Sequence, residues 1–152
     1  MKKIRKSLLN LALGELTAAF VFLIVYFNNF YFGTASILAI IFLVFILLQG
    51  GTYWIYRSLF LNRDKLLSIR ITLRVLRVTN MVLACVVLTF MIIHAKNNKD
   101  VIVSTPIFFF AVIEYVNYYW YRLSYGKSGF NIKLLFQSGL QPSSIHKFLK
   151  NK

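Results

Sequence analysis

Acid is scarce in this chain. Among 152 residues there are four carboxylate side chains, Glu15, Asp64, Asp100 and Glu114, against 18 lysines and arginines, for a formal net charge of +14. Cysteine is scarcer still: Cys85 stands alone, which excludes an intramolecular disulfide, a thiolate metal site and a CxxC redox pair. The two histidines, His94 and His146, and the four acids are too scattered to form a metal-ligand motif, so neither metal nor cofactor is expected. No Gly-x-Ser-x-Gly elbow or His-Glu-x-x-His helix is present, and Glu15 and Glu114 lack the Asp pair and glycine motif of an aspartyl membrane protease. An enzyme is therefore not expected. Two prolines and seven glycines leave no linker between domains, and no internal repeat is visible.

What the chain does have is apolar surface. It is 59% hydrophobic with a mean hydropathy of +0.67, more than a soluble domain this small could hide. A nucleic-acid binder shares the basic balance, but its lysines and arginines would interleave with polar residues instead of flanking apolar runs. The pattern predicts an all-α membrane protein, a four-transmembrane-helix antiparallel bundle, with spans at about 8–27, 36–56, 78–94 and 101–121. Residues 1–123 form the transmembrane domain and 124–152 a basic amphipathic tail. The basic N-terminus resembles the start of a signal peptide, but the apolar stretch is too long and no small-residue cleavage site follows it.

Orientation follows from the basic residues. Four lie before the first span, six in the connector from Arg57 to Arg77 and six after the fourth span, whereas the two short turns hold only Lys96 and Lys99. The positive-inside rule places both termini in the cytoplasm of what reads as a bacterial inner-membrane protein. Tyr53, Trp54, Tyr56 and the run Tyr118 to Tyr121 fall at the cytoplasmic ends, at the headgroup level that aromatic rings prefer.

Arg63, Arg70, Arg74 and Arg77 fall within roughly a 60° arc on a helix. This stripe predicts contact with anionic lipid headgroups or an acidic protein partner, on a cytoplasmic extension of the third span or on an interfacial helix. In the tail, Phe130 to Phe136 and a segment capped by the serines of Pro142-Ser-Ser144 read as short amphipathic helices. Each is too short to stand alone in water and is expected on the membrane or on another protein, with His146 exposed. Pro106 either opens the fourth helix or lies within one that starts near Asp100.

Chemistry concentrates in the lower half of the bilayer. Glu15, Gln49, Cys85 and Glu114 each lie about 12 Å from the cytoplasmic charge that ends their helix, so antiparallel neighbours would bring them to one level. A charged carboxylate at a helix centre costs about 2.5–3.5 kcal/mol to insert, so such groups face the protein interior, find a partner or become neutral. Ala12, Glu15 and Ala19 share one stripe, with Gly14 and Ala18 beside it. Ala111, Glu114, Asn117, Tyr118 and Tyr121 share another, and Gln49 adjoins Gly50 and Gly51. Cys85 is expected as a small core residue.

Three roles fit this polar layer of Glu15, Gln49, Glu114, Asn117 and Tyr118. It is hydrogen-bonded glue between helices, a proton- or cation-exchanging site, or the seat of a partner's helix. The position of Glu15 resembles that of the essential glutamate in the first of four helices of small proton-coupled drug exporters, whose repeated Gly/Pro pattern is absent. Two functions follow. One is an accessory, regulatory or immunity-type subunit working through its basic cytoplasmic face and this layer. The other is a small proton- or cation-coupled transporter acting as a homodimer. No nucleic acid is expected as a partner.

Overall fold

A computed structural model describes residues 2–29, 33–59, 66–94, 98–123 and 139–150. Four long helices dominate: α1 (Lys2–Asn29), α2 (Thr34–Leu59), α3 (Leu66–Ile93) and α4 (Asn98–Tyr119). All four are long and apolar enough to cross a membrane. A two-residue strand β1 (Tyr121–Arg122) pairs with β2 (Gln141–Pro142), and a short helix α5 (Ser144–Lys150) follows. Arg63 and the expected amphipathic segment at 130–136 lie outside the described residues.

Helix α2 is the axis of the molecule, because its apolar residues have partners on two sides. Ala39, Leu43, Ile46, Leu47 and Gly50 are buried along one broad face, while Ile41, Phe45 and Leu48 form an exposed stripe at i, i+4 and i+7. Most of its contacts are to α1 and α4, with fewer to α3.

The α1 seam is narrow. It buries Ala12, Ala19 and Tyr26, seven residues apart each time, and leaves Leu13, Phe20 and Phe27 outward at the same spacing. At one end the Tyr26 and Ser36 hydroxyls share a 2.9 Å hydrogen bond. At the other, Leu16 of α1 sits against Gly51 of α2. Small side chains on the seam let the two backbones approach. Gly14, by contrast, faces open space.

Exposed apolar side chains recur on α3 and α4, among them Val78, Met81, Ile92, Ile102 and Phe109. Rows of this kind are sustainable against lipid or another chain, not against water. Cys85 belongs to this outward surface, a correction to its expected place in the core. The run Ala84-Cys85-Val86 turns its inward face at Val87 and Met91 instead.

Two boundaries that the sequence leaves open are decided in the structure. Helix α3 is continuous from Leu66, so much of the expected connector is already helix. Pro106 lies inside α4, which starts at Asn98. The hydroxyls of Ser104 and Thr105 both donate to the Val101 carbonyl just before it, at 3.3 and 2.7 Å.

The start of α2 is fastened by a residue far along the chain. The Asp100 carboxylate, buried in the first turn of α4, accepts from the amides of Ala35 at 3.0 Å and Ser36 at 2.9 Å. Those amides have no acceptor within their own helix, and an anion also suits the positive end of the helix dipole. Gly33 leaves the necessary room: a Cβ there would fall on the carboxylate. In sequence Asp100 reads only as part of an outer turn; in the structure it ties α4 to α2.

Candidate functional site

At the other end of the helices, two polar clusters flank α4. The first begins with Gln49 and Asn80, whose amides face each other across α2 and α3. Gln49 Nε2 donates to Asn80 Oδ1 at 3.1 Å, and Asn80 Nδ2 donates to Gln49 Oε1 at 2.7 Å. The Tyr119 hydroxyl donates to the same Gln49 oxygen at 2.7 Å. Asn80 and Tyr119 are both completely buried. Each amide nitrogen and the tyrosine hydroxyl has at least one acceptor, as a buried polar group requires. This cluster joins three helices, and it takes Gln49 away from the acids with which the sequence groups it.

The second cluster holds the acids. Glu15 on α1 and Glu114 on α4 are both half-buried within the apolar spans. The Tyr118 hydroxyl donates to Glu15 Oε2, and Glu114 lies one turn before Tyr118 on α4. Asn117 Nδ2 donates to Glu114 Oε2 at 3.2 Å, and Asn117 Oδ1 accepts from the Leu123 amide at 2.9 Å. Asn117 thus connects the acid to the backbone just past the end of α4. An ionised carboxylate within an apolar span is costly unless a proton, a donor or a cation accompanies it.

Gly50 makes the arrangement possible. A Cβ there would lie 2.7 Å from the Tyr118 ring, so only glycine leaves the ring its slot between α2 and the acids. Ala111, fully buried one turn earlier on α4, completes the small-residue surface around Glu114. Tyr121, which shares the predicted stripe, instead lies exposed in β1, because α4 has ended.

The acid cluster opens on a pocket of about 160 Å³ lined by Leu11, Glu15, Tyr53, Trp54, Asn117, Tyr118, Arg122, Ser144 and Ile145. Tyr53 and Trp54 form an aromatic corner, edge to face at 5.0 Å. Arg57 Nη1 donates to the Tyr53 hydroxyl at 2.8 Å and steadies that ring.

One wall comes from the tail, which folds back onto its own chain. The Ser143 amide donates to the Trp120 carbonyl at 3.0 Å, its hydroxyl donates to the Tyr118 carbonyl, and the same oxygen accepts from the His146 amide at 3.0 Å. Ser143 is therefore the predicted N-cap of α5 and a fastener to α4 at once. Ile145 is buried below it. The expectation that this segment rests on the membrane or on another protein gives way to docking on α3 and α4. His146 is half-buried near Trp120, at 6.5 Å between rings, and its Nδ1 has no hydrogen-bond partner among the described residues.

The arginine stripe is divided. Arg77 lies over the Trp120 ring at 3.6 Å and Arg70 over Phe148 at 5.6 Å, so both turn toward the docked tail. The Arg77 carbonyl also accepts from the Tyr115 hydroxyl at 2.9 Å. Arg74 remains exposed. Stacking on aromatic faces explains the inward turn of the two guanidinium groups.

Sequence reasoning missed Asn80 and Asp100. A primary amide within the apolar run Val78-Thr-Asn-Met-Val82 was the available signal for the first. For the second it was an acid on the same side of the topology as the turn at Gly33. Among the described residues no group of His, Cys, Asp and Glu is arranged to hold a metal ion. Comparison with protein-family models, with curated proteins and with solved structures returns no significant match.

Proposed function

We propose that this protein is a small proton- or cation-coupled carrier of the cytoplasmic membrane, an antiparallel four-helix bundle with both termini in the cytoplasm. One observation carries the reading: Glu15, 99 positions from Glu114 in sequence, accepts from the Tyr118 hydroxyl at the floor of a pocket, and Glu114 lies one turn before that tyrosine, held by the pocket residue Asn117. Simple interhelical glue would need one acid and one donor. A second acid one turn from that donor supplies the site with an exchangeable proton or a place for a cation. The concentration of basic residues on one side supports the orientation, with the pocket mouth toward the cytoplasm.

A second reading, an accessory or regulatory subunit, draws on the outward apolar rows of α1 and α3 together with the exposed Arg74. The same surfaces would serve a homodimer or contact anionic lipid. Arg70 and Arg77, occupied with aromatic rings of the same chain, add less to that face than their spacing implies.

The test is reconstitution in liposomes with a pH-reporting dye inside and a gradient of ethanolamine outside. Glu15→Gln and Glu114→Gln should each abolish coupled proton movement while the folded yield stays near that of the wild type. Unchanged flux in both variants refutes the carrier and leaves the accessory reading.

A further inference from the structure

The pocket above the acids carries both signs of charge in a fixed order. Glu15 lies inside the apolar span, whereas Arg122 lies beyond the end of α4 on the strand that follows, and both line the same space. Tyr53 and Trp54 line it with them. An aromatic corner beside a carboxylate is the chemistry that recognises an ammonium, through cation–π attraction and an ion pair. A guanidinium at the rim is the chemistry that recognises a phosphate or carboxylate, by paired N–H donors.

Size narrows the choice. Drug-sized ligands occupy pockets of roughly 300–1,000 Å³. At about 160 Å³ this one suits a molecule of a few heavy atoms. Resting on the carrier reading above, we propose that the substrate is a small zwitterion, an ammonium a few bonds away from a phosphate or carboxylate. It enters ammonium first, so that Glu15 takes the cationic end and Arg122 holds the anionic end at the rim.

The order of charges separates a soluble zwitterion from a lipid headgroup of the same chemistry. An aminophospholipid presents its phosphate nearer the acyl chains and its ammonium nearer water. The pocket has the opposite arrangement, with the acid deep and the base shallow. Ser144 and Ile145 close the side that the docked tail covers.

The experiment is calorimetric titration of the full chain in nanodiscs with phosphoethanolamine, ethanolamine and inorganic phosphate. Phosphoethanolamine should bind about tenfold or more tightly than either half, the contribution expected of one added charge-assisted contact. In Arg122→Gln its advantage over ethanolamine should shrink toward nothing, and Arg122→Lys should retain part of it. Nanodiscs of phosphatidylethanolamine and of phosphatidylglycerol should give the same affinity. Competition by the phosphatidylethanolamine bilayer would instead assign the site to a lipid headgroup and overturn the soluble substrate. Equal binding of ethanolamine and phosphoethanolamine by the wild type, or an undiminished preference in Arg122→Gln, overturns the zwitterion. If Glu15-dependent proton coupling to ethanolamine persists alongside either result, the carrier stands and only its substrate assignment falls.

Discussion

Removing the Asp100 carboxylate should loosen the junction of α2 and α4 more than any change at an exposed acid would. Asp100→Ala strands two amides that now donate at 3.0 and 2.9 Å. Hydrogen bonds to charged groups contribute about 1.5–3 kcal/mol each, and replacing a helix cap by alanine costs about 0.5–2 kcal/mol. Two such bonds total about 3–6 kcal/mol, water reaching the end of the helix offsets part of that, and the expected loss is about 2 kcal/mol, the top of the capping range. Asp100→Asn keeps one acceptor oxygen without the charge and should lose about half as much. Gly33→Ala places a methyl on the carboxylate and should destabilise the wild type, yet be close to neutral once Asp100 is alanine. The assay is SDS-titrated unfolding in mixed micelles followed by circular dichroism. The reasoning is refuted if Asp100→Ala stays within about 0.5 kcal/mol of wild type, or if Gly33→Ala is equally harmful in both backgrounds.

The same unfolding assay applies to the Gln49–Asn80 pair. Gln49→Leu or Asn80→Leu alone should cost about 0.6–1.7 kcal/mol, the range of interhelical polar bonds in membranes, and the double substitution should cost less than the two single losses combined. Strict additivity would show that the two amides do not act as a pair. For the tail, Ser143→Ala removes both the α5 cap and the tie to the Tyr118 carbonyl, a loss of about 1 kcal/mol, roughly fivefold in docking. Limited proteolysis should then cleave faster between Gly139 and Lys150, and an unchanged rate would remove Ser143 from that role.

What the sequence displays well is whatever depends on long-range composition. Uninterrupted apolar runs mark all four long helices, because a bilayer demands about 20 such residues whatever their partners. The meeting of Glu15 with the Tyr118 stripe of α4 is also readable, since Glu15 and Glu114 lie at matching distances from a terminal charge and share faces with small residues. The serine cap of α5 has a local signature of its own.

Partner choice is less visible. Gln49 has several possible acceptors at its level, and nothing in its neighbourhood singles out Asn80 and Tyr119. Cys85 follows the same apolar rhythm whether it faces lipid or protein, because both are equally greasy. The inward turn of Arg70 and Arg77 depends on Phe148 and Trp120, rings supplied by separate parts of the chain. Asp100 escapes notice because its partners are backbone amides, which leave no trace in side-chain pattern.

The pocket wall formed by Ser144 and Ile145 has a consequence for biogenesis. Glu15 emerges from the ribosome with the first helix and must be accommodated by the insertion machinery long before Tyr118 has been translated. Glu114 arrives with its hydroxyl neighbour, but the closing residues follow a further 30 positions later. A nascent chain therefore resides in the bilayer with one side of its acidic floor uncovered, and the finished cup is assembled last.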